Sequence, residues 1–470
     1  MKKVLVIALA IMCLSGLTAC SGGKDKPGEQ PGETTNGVTS GKTEYRFVPE
    51  DFEQGNRPGA TGNAMMRTDK GFYHYNDTLG GFRYYDTDTG KEMFLCNKPE
   101  CRHDGNEFCV ATNEKYTVLD YCLYGERLMV FAAEVTETQV LYKVLALALD
   151  GSFMDEVATV LTLERSPDMS VYASRMYLHR NKALLTFATG ASYEQEDTKH
   201  YGTALLDLNT KNVTFFAEEP LAKENAETTD ITAYGDYFYY CKKEGKKTVL
   251  HRYHMENGTD ETCKLLTNFT GDYAVLEEDY IVYLRSSQKA LCTYRFSTGE
   301  NEEKEMLYEK VPKYDFYGNL IHETEEGVPA QGLVTDGTYL YVPQATIHFD
   351  VPYSDGRVEE WTEAESACIR VFNKELEEVT VLNLAEQLPL ENGEYDCSAE
   401  ESISLRTTHN LGFRYMGEDI YWCPVSVITH SVINQNVIDQ TAEIHVYHCK
   451  RSDLLAGEPK FTFVYGYSAD

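Results

Sequence analysis

Apolar and polar residues alternate along this chain in short runs ended by Gly, Asp or Asn turns, and that period of two predicts strands. The clearest phrase is Gly71-Phe72-Tyr73-His74-Tyr75, then Phe82-Arg83-Tyr84-Tyr85, the turn Asp86-Thr87-Asp88-Thr89-Gly90, and Glu92 to Leu95. It returns as Gly235-Asp236-Tyr237-Phe238-Tyr239-Tyr240 with Leu250-His251-Arg252-Tyr253 and Glu256-Asn257-Gly258. A third clear copy joins Asp279 to Tyr283, Leu291 to Phe296 and Ser297-Thr298-Gly299. Weaker copies pair Gly125 to Phe131 with Leu141 to Gly151, and Asn181 to Phe187 with Tyr201 to Lys211. Two more pair Gly337 to Val342 with Ala367 to Lys374, and Gly417 to Cys423 with Ala442 to Lys450. Each copy follows a short strand candidate such as Ala64-Met65-Met66 or Ile231-Thr232-Ala233. A four-strand unit recurring roughly every 40–60 residues predicts an all-β chain, a β-propeller of about seven four-stranded blades. Insertions in the last copies leave six or eight blades open. Phe461 to Val464 and Glu44 to Val48 are candidates to close the ring. No segment sustains a helical period, and Val379 to Leu388 is the best candidate for a short helical turn.

Because successive strands reverse direction, the A–B and C–D turns of each blade share one side, and the B–C loops and crossovers share the other. The first set is tight: Asp69-Lys70-Gly71, Thr87 to Gly90, Asn257-Gly258, Thr298-Gly299. The extra length falls on the second side, in Ala188–His200, Pro343–Ser366 and Pro424–Gln440, and in the crossovers Cys96–Tyr116, Tyr308–Gln331 and Leu384–Asn410. Length gathered on one side of a rigid scaffold is how binding faces are built. The expected binding face carries His322, His348, Asp350, Tyr353 and Trp361, together with the cysteine segment below.

The first residues set the address. Met1-Lys2-Lys3 is a basic start, Val4 to Leu14 is an apolar run short for a membrane span, and Leu17-Thr18-Ala19-Cys20 ends it. That ending resembles a bacterial lipobox, which implies removal of 1–19 as a signal peptide and lipidation of Cys20. Residues 20–43 are Gly-, Glu- and Thr-rich and read as a disordered tether, leaving 44–470 as the propeller domain. Anchored through lipidated Cys20, the chain is expected at the cell membrane on its extracytoplasmic side. The formal charge of −32, made more negative by losing Lys2 and Lys3, repels nucleic acid and anionic lipid and excludes both as partners.

Thirteen cysteines less Cys13 and Cys20 leave an odd number, so complete disulfide pairing is excluded. Three of them crowd into Leu95-Cys96-Asn97-Lys98-Pro99-Glu100-Cys101-Arg102-His103-Asp104-Gly105-Asn106-Glu107-Phe108-Cys109. Thiolates and an imidazole at Cys96, Cys101, His103 and Cys109 suit tetrahedral zinc, although this spacing matches no standard zinc knuckle. A disulfide staple or a plain structural loop ranks ahead of the metal on spacing alone. Elsewhere Cys423 and Cys449, on neighbouring strands, are a candidate pair, and the other strand cysteines read as small core residues.

The lipobox and tether, the Tyr-rich phrase and a first blade ending Leu-Cys-x-Lys-Pro-x-Cys-x-His resemble surface lipoproteins of clostridial-type anaerobic bacteria. Those carry β-propeller domains of unknown function, loosely related to TolB-type repeats. The resemblance implies a cell-surface propeller and carries over no catalytic residue.

Enzyme signatures are sparse. There is no G-x-S-x-G, and His322-Glu323 lacks the second His of H-E-x-x-H. Asp86 to Gly90 reads as a hairpin turn and not a calcium loop. The 34 tyrosines sit mostly at strand positions and read as packing, and two tryptophans make a poor sugar platform. The expected function is therefore binding of a protein, peptide or glycan on the long-loop face. An enzyme acting on extracellular polysaccharide through carboxylates of that face is the alternative.

Overall fold

The computed structural model describes residues 66–468 except 69, 76–79, 87, 106–108, 168, 173, 192–197, 245–246, 264–268, 286–289, 306–311, 315–319, 324–332, 336–337, 345–346, 353–357, 364–367, 384–400, 407–413, 416–419 and 434–435. The chain there is nearly all strand, and the one helix among the described residues is Arg451–Leu455. Of the stretch expected to turn helical, residues 379–383 belong instead to the strand Glu378–Asn383, where Val379 and Val381 alternate with Thr380 on an outer edge, and residues 384–388 lie outside the described residues. The residues 44–48 lie outside the described residues, and Thr462–Ser468 forms the last strand of the last sheet.

Seven antiparallel sheets of four or five strands follow one another among the described residues. The first holds Met66–Thr68, Gly71–Tyr75, Phe82–Asp86 and Lys91–Phe94; the second Tyr116–Tyr124, Arg127–Val135, Gln139–Ala148 and Met154–Glu164. The third is built on Arg175–His179, Lys182–Gly190, His200–Asp207 and Val213–Phe215. The fourth holds Thr228–Tyr234, Tyr237–Glu244, Lys247–His254 and Asp260–Cys263; the fifth Phe269–Glu277, Tyr280–Arg285, Ala290–Arg295 and Asn301–Glu305. The sixth joins Val334–Thr335, Leu340–Gln344, Cys368–Phe372 and Glu378–Asn383. In the seventh, Glu401–Arg406, Ile420–Ile433, Asn436–Lys450 and Thr462–Ser468 lie in that order.

From the first sheet to the sixth, the first strand of each lies against the first strand of the next. The sheets themselves stack face to face, and this explains their composition. Along Arg127–Val135, Leu128, Val130 and Ala132 pack towards the first sheet, whereas Met129, Phe131 and Ala133 pack towards the third. Both faces are buried, so the strand reads as a continuous apolar run and not as a simple alternation. The tyrosine-rich strand Tyr237–Glu244 does the same: Phe238 and Tyr240 face the third sheet, Tyr239 and Cys241 the fifth.

The tight turns are tied to one another. The Tyr124 hydroxyl donates to the Arg180 carbonyl at 2.5 Å, and His179 Nε2 donates to the Gly235 carbonyl at 2.8 Å. The Asp236 amide donates to Glu278 Oε1 at 2.9 Å, and the Tyr239 hydroxyl to the Glu278 carbonyl at 2.5 Å. Gly235 occupies a left-handed slot (φ 56°) that costs glycine little, and Arg180 fills the equivalent slot of the preceding sheet (φ 52°) while its guanidinium pairs with Asp236. The turn Asp86 to Gly90 is a hairpin, as expected. Its Asp86 Oδ1 accepts the amides of Asp88 and Thr89, and the Gly90 amide closes on the Asp86 carbonyl at 2.9 Å. Asp207 Oδ1 plays the same part for Asn209 and Thr210.

Among the described residues, three of the long insertions contain paired strands. Ile347–Pro352 and Val358–Glu363 form a separate hairpin between the second and third strands of the sixth sheet. Pro312–Tyr314 and Leu320–Glu323 form another between the fifth and sixth sheets. Residues 424–433 and 436–440 extend two long paired strands, Ile420–Ile433 and Asn436–Lys450.

Candidate metal centre

The cysteine segment leaves the first sheet at Phe94 and enters the second at Tyr116. Both of its ends are tied to Phe82 of the first sheet, and its start is tied to the second sheet as well. At the start, the Leu95 amide donates to the Phe82 carbonyl at 2.9 Å, and the Asn97 amide to the Gly151 carbonyl at 3.3 Å. Gly151 lies in the turn between Gln139–Ala148 and Met154–Glu164. It is required there: a Cβ would stand 2.6 Å from the backbone of Leu95 and Cys96, and φ is 67°. At the far end Val110 and Ala111 are buried, and the Ala111 carbonyl accepts the Phe82 amide at 2.9 Å.

Between these ends the chain turns back on itself. His103 adopts φ 54° and Gly105 φ 84°. The result brings together the four residues picked out by spacing. The ligand atoms of Cys96, Cys101, His103 and Cys109 all lie within 4.8 Å of one another, and His103 Nδ1 is 3.5 Å from Cys109 Sγ. Bonds of about 2.3 Å to sulfur and about 2.0 Å to nitrogen give a tetrahedron with edges of roughly 3.5–3.8 Å. The Cys109–His103 separation is already such an edge, and the cluster needs only a slight contraction to enclose an ion.

The electrostatics favour a ligand thiolate at the buried end. Burial pushes the Cys109 thiol up, but donors from Thr112, His103 and Cys101 outweigh it and hold it down at about 6. Burial pushes Cys101 up to about 11, with the neighbouring Cys109 and Cys96 adding to the rise. One thiol of the cluster is thus ready to ionise, and a cation is what would draw the protons from the others. The imidazole is oriented from the first sheet. The Phe94 ring stacks on His103 at 4.4 Å and 26°, and the Arg83 guanidinium lies over the Phe94 ring at 4.2 Å from its centroid. Arg83 is fixed by Glu92 at 2.8 Å, which also receives His74 at 2.8 Å.

All eight cysteines whose side chains are described carry free thiols. The register places Cys449 opposite Tyr421 and Cys423 opposite Tyr447, so the proposed Cys423–Cys449 pair is offset by two residues along the ladder. Diagonal neighbours lie about 7–8 Å apart, beyond the reach of a disulfide.

The expected face residues fall on the two separate hairpins. His322 stands opposite Lys313, His348 opposite Thr362, Asp350 opposite Glu360, and Trp361 opposite Phe349. Trp361 is therefore one position out of phase with His348 and Asp350. The hairpins are neighbours, since Pro312–Tyr314 lies against Ile347–Pro352. Tyr353 lies outside the described residues.

Sequence reasoning missed Asp120. It sits in an apolar run, Val118-Leu119-Asp120-Tyr121-Cys122, and that isolated acid was the available signal. Its carboxylate accepts the Met176 amide of the third sheet and the Tyr121 amide, both at 2.9 Å. Burial raises it to about 7 against the pull of those donors and of Arg175.

No protein-family model matches the chain, and no curated protein matches it. Among solved structures it is similar to an oligogalacturonate lyase from Vibrio parahaemolyticus at 10% identity, over 83% of this chain and 93% of that one, with a TM-score of 0.39. An uncharacterized protein from Listeria monocytogenes EGD-e is similar at 11% identity, over 83% and 95%, with a TM-score of 0.39. The α-L-arabinofuranosidase from Fusarium graminearum is similar at 10% identity over 67% and 89%, with a TM-score of 0.30. At such scores these likenesses decide nothing about the activity of this chain.

Proposed function

We propose that this chain is a lipid-anchored, extracytoplasmic β-propeller of seven four-stranded blades, of the kind found in clostridial surface lipoproteins. It recognises a protein, peptide or glycan on the side bearing the long hairpins, and holds zinc at Cys96, Cys101, His103 and Cys109. The observation that carries the reading is the division of labour between the two sides. The tight turns on one side are occupied in binding each other, while the hairpins with His322, His348, Asp350 and Trp361 adjoin one another. The consecutive contacts of first strands support the propeller. Three thiols and an imidazole with four-ligand geometry support zinc in a closed, structural site.

Residues 1–19 serve as the signal peptide, Cys20 as the lipidated residue, and 20–43 as the tether to the domain 44–470. Replacing Cys20 by Ser tests the address, with the protein expected to leave the membrane fraction. The binding role is tested by cosedimentation of the protein with insoluble cell-wall polysaccharide and by a peptide array. Retention lost in a His348→Ala/Trp361→Ala double variant, with no soluble sugar released, is the expected result. Release of saccharides with turnover would replace it with the polysaccharide-acting enzyme.

A further inference from the structure

The four ligands are not carried by one rigid element, and that has a consequence for the ion. Cys96 stands on the end anchored to Gly151 of the second sheet, and the His103 ring rests on Phe94 of the first. Cys109 stands at the end where Val110 joins the core shared by the two sheets, with Tyr73, Phe82, Leu95, Tyr121 and Leu128. The segment that carries the ligands thus spans both sheets: Phe82 of the first holds its Leu95 and Ala111 flanks, and Gly151 of the second holds Asn97.

The first sheet is the smaller of the two. Its strands span three to five residues, against nine to eleven in the second. Direct bonds across the seam include the Tyr73 hydroxyl to the Leu149 carbonyl at 3.1 Å and the Tyr75 amide to the Tyr121 hydroxyl at 3.0 Å. Between the sheets a small void of about 20 Å³ remains, lined by Tyr75, Phe82, Val110, Tyr116, Val130 and Leu145 among others.

We infer that zinc binding at Cys96, Cys101, His103 and Cys109 and the seating of the first sheet on the second are one linked equilibrium, with Phe94 and Gly151 as its positioning residues. The inference rests on the zinc reading above. An ion bound only by the seated form stabilises that form, and by reciprocity anything that unseats the sheet weakens the ion by the same factor. Phe94 acts by fixing the imidazole plane, and Gly151 by admitting the backbone of Leu95 and Cys96. Neither touches the ion.

The test uses the full chain purified in detergent without oxygen, with zinc as the probe. Zinc affinity is measured by competition with a chromophoric chelator, and amide hydrogen exchange with and without zinc. Phe94→Ala and Gly151→Ala are expected to weaken zinc about 10–100-fold, as loss of outer-shell support does. Removing zinc from the wild type is expected to speed exchange in Gly71–Phe94 and in 109–118, and to leave Phe269–Arg295 unchanged. Wild-type zinc affinity in both variants overturns the linkage, as does unchanged exchange on zinc removal, and each leaves the zinc reading standing. Failure of the wild type to bind zinc removes that reading and the linkage together. Because the exchange comparison needs no variant, misfolding of Phe94→Ala does not blunt the test.

Discussion

The seam between the fourth and fifth sheets and the seam between the first and second solve the same problem by different means. At the former, Arg252 is sandwiched between Tyr237 and Phe296, 4.5 and 4.3 Å from their ring centroids. Its guanidinium also reaches the Glu278 carbonyl at 2.8 Å and the Glu261 carboxylate at 2.5 Å. Around it Tyr239, Cys241, Leu250, Val275, Ile281 and Tyr283 are closed to solvent. At the latter, short strands are supplemented by a crossover loop whose side chains converge on one point. Where strands are long and apolar on both faces, packing and a few buried polar anchors suffice. Where they are short, the connection must supply the constraint, and three thiols with an imidazole are the chemistry it supplies.

Removing the strongest anchor should give the largest effect. Arg252→Ala removes the cation from two aromatic faces, the partner of the Glu261 carboxylate and one of two donors to the Glu278 carbonyl, and should cost about 3 kcal/mol in urea unfolding, the same with zinc or with a chelator. Next comes the metal itself. Closing the 96–109 loop with an ion resembles closing it with a covalent link, worth up to about 3 kcal/mol for a loop near 15 residues. Chelation should therefore lower the urea midpoint of the wild type, and Cys109→Ala should be insensitive to it. A difference that persists in Cys109→Ala would place the ion elsewhere.

A third contrast is set by pH, at the seam between the second and third sheets. Asp120 is held at about 7 in the folded chain against 3.8 ordinarily. Between those values the folded chain holds the proton that the unfolded chain has lost. Its contribution to stability is therefore greatest below pH 4 and is lost as pH rises through 7. Unfolding midpoints taken from pH 4.5 to 7.5 should fall in the wild type, and the slope should be shallower in Asp120→Asn. An identical slope in both proteins would show that Asp120 ionises as it does in water.

The strand phrase was legible because turns such as Asp86 to Gly90 and Asn257-Gly258 and paired tyrosines repeat with a fixed order. What alternation alone did not reveal was that both faces of a strand such as Arg127–Val135 are buried. The stretch at 379–388 invited a helical reading because Leu, Ala and Glu favour one, yet its first residues pair with Cys368–Phe372, and tertiary pairing overrides propensity. The convergence of Cys96, Cys101, His103 and Cys109 was visible as crowding in sequence. Its geometry was not, because it depends on a left-handed His103 and on Gly151, more than forty residues downstream. Phe94 and Arg83 carried no local signal, since their role exists only once the loop folds back over the first sheet.

The smallest effects offer the sharpest comparison of the two seams. Each contains a tyrosine hydroxyl that donates to a carbonyl of the next sheet: Tyr239 to Glu278 at 2.5 Å, and Tyr73 to Leu149 at 3.1 Å. Replacing either by Phe keeps the ring and removes one hydrogen bond, at a cost of about 1 kcal/mol. The Tyr239→Phe cost should not depend on zinc, because its seam closes without the ion. The Tyr73→Phe cost should appear in full with zinc bound and shrink when the ion is chelated, because the first sheet is then already loosened from Leu149. A double-mutant-style cycle of Tyr73→Phe against chelation, read from urea midpoints, measures that difference as a coupling energy. A coupling of zero at Tyr73, equal to that at Tyr239, would mean that the ion orders only its own loop and that the first sheet is held by packing alone.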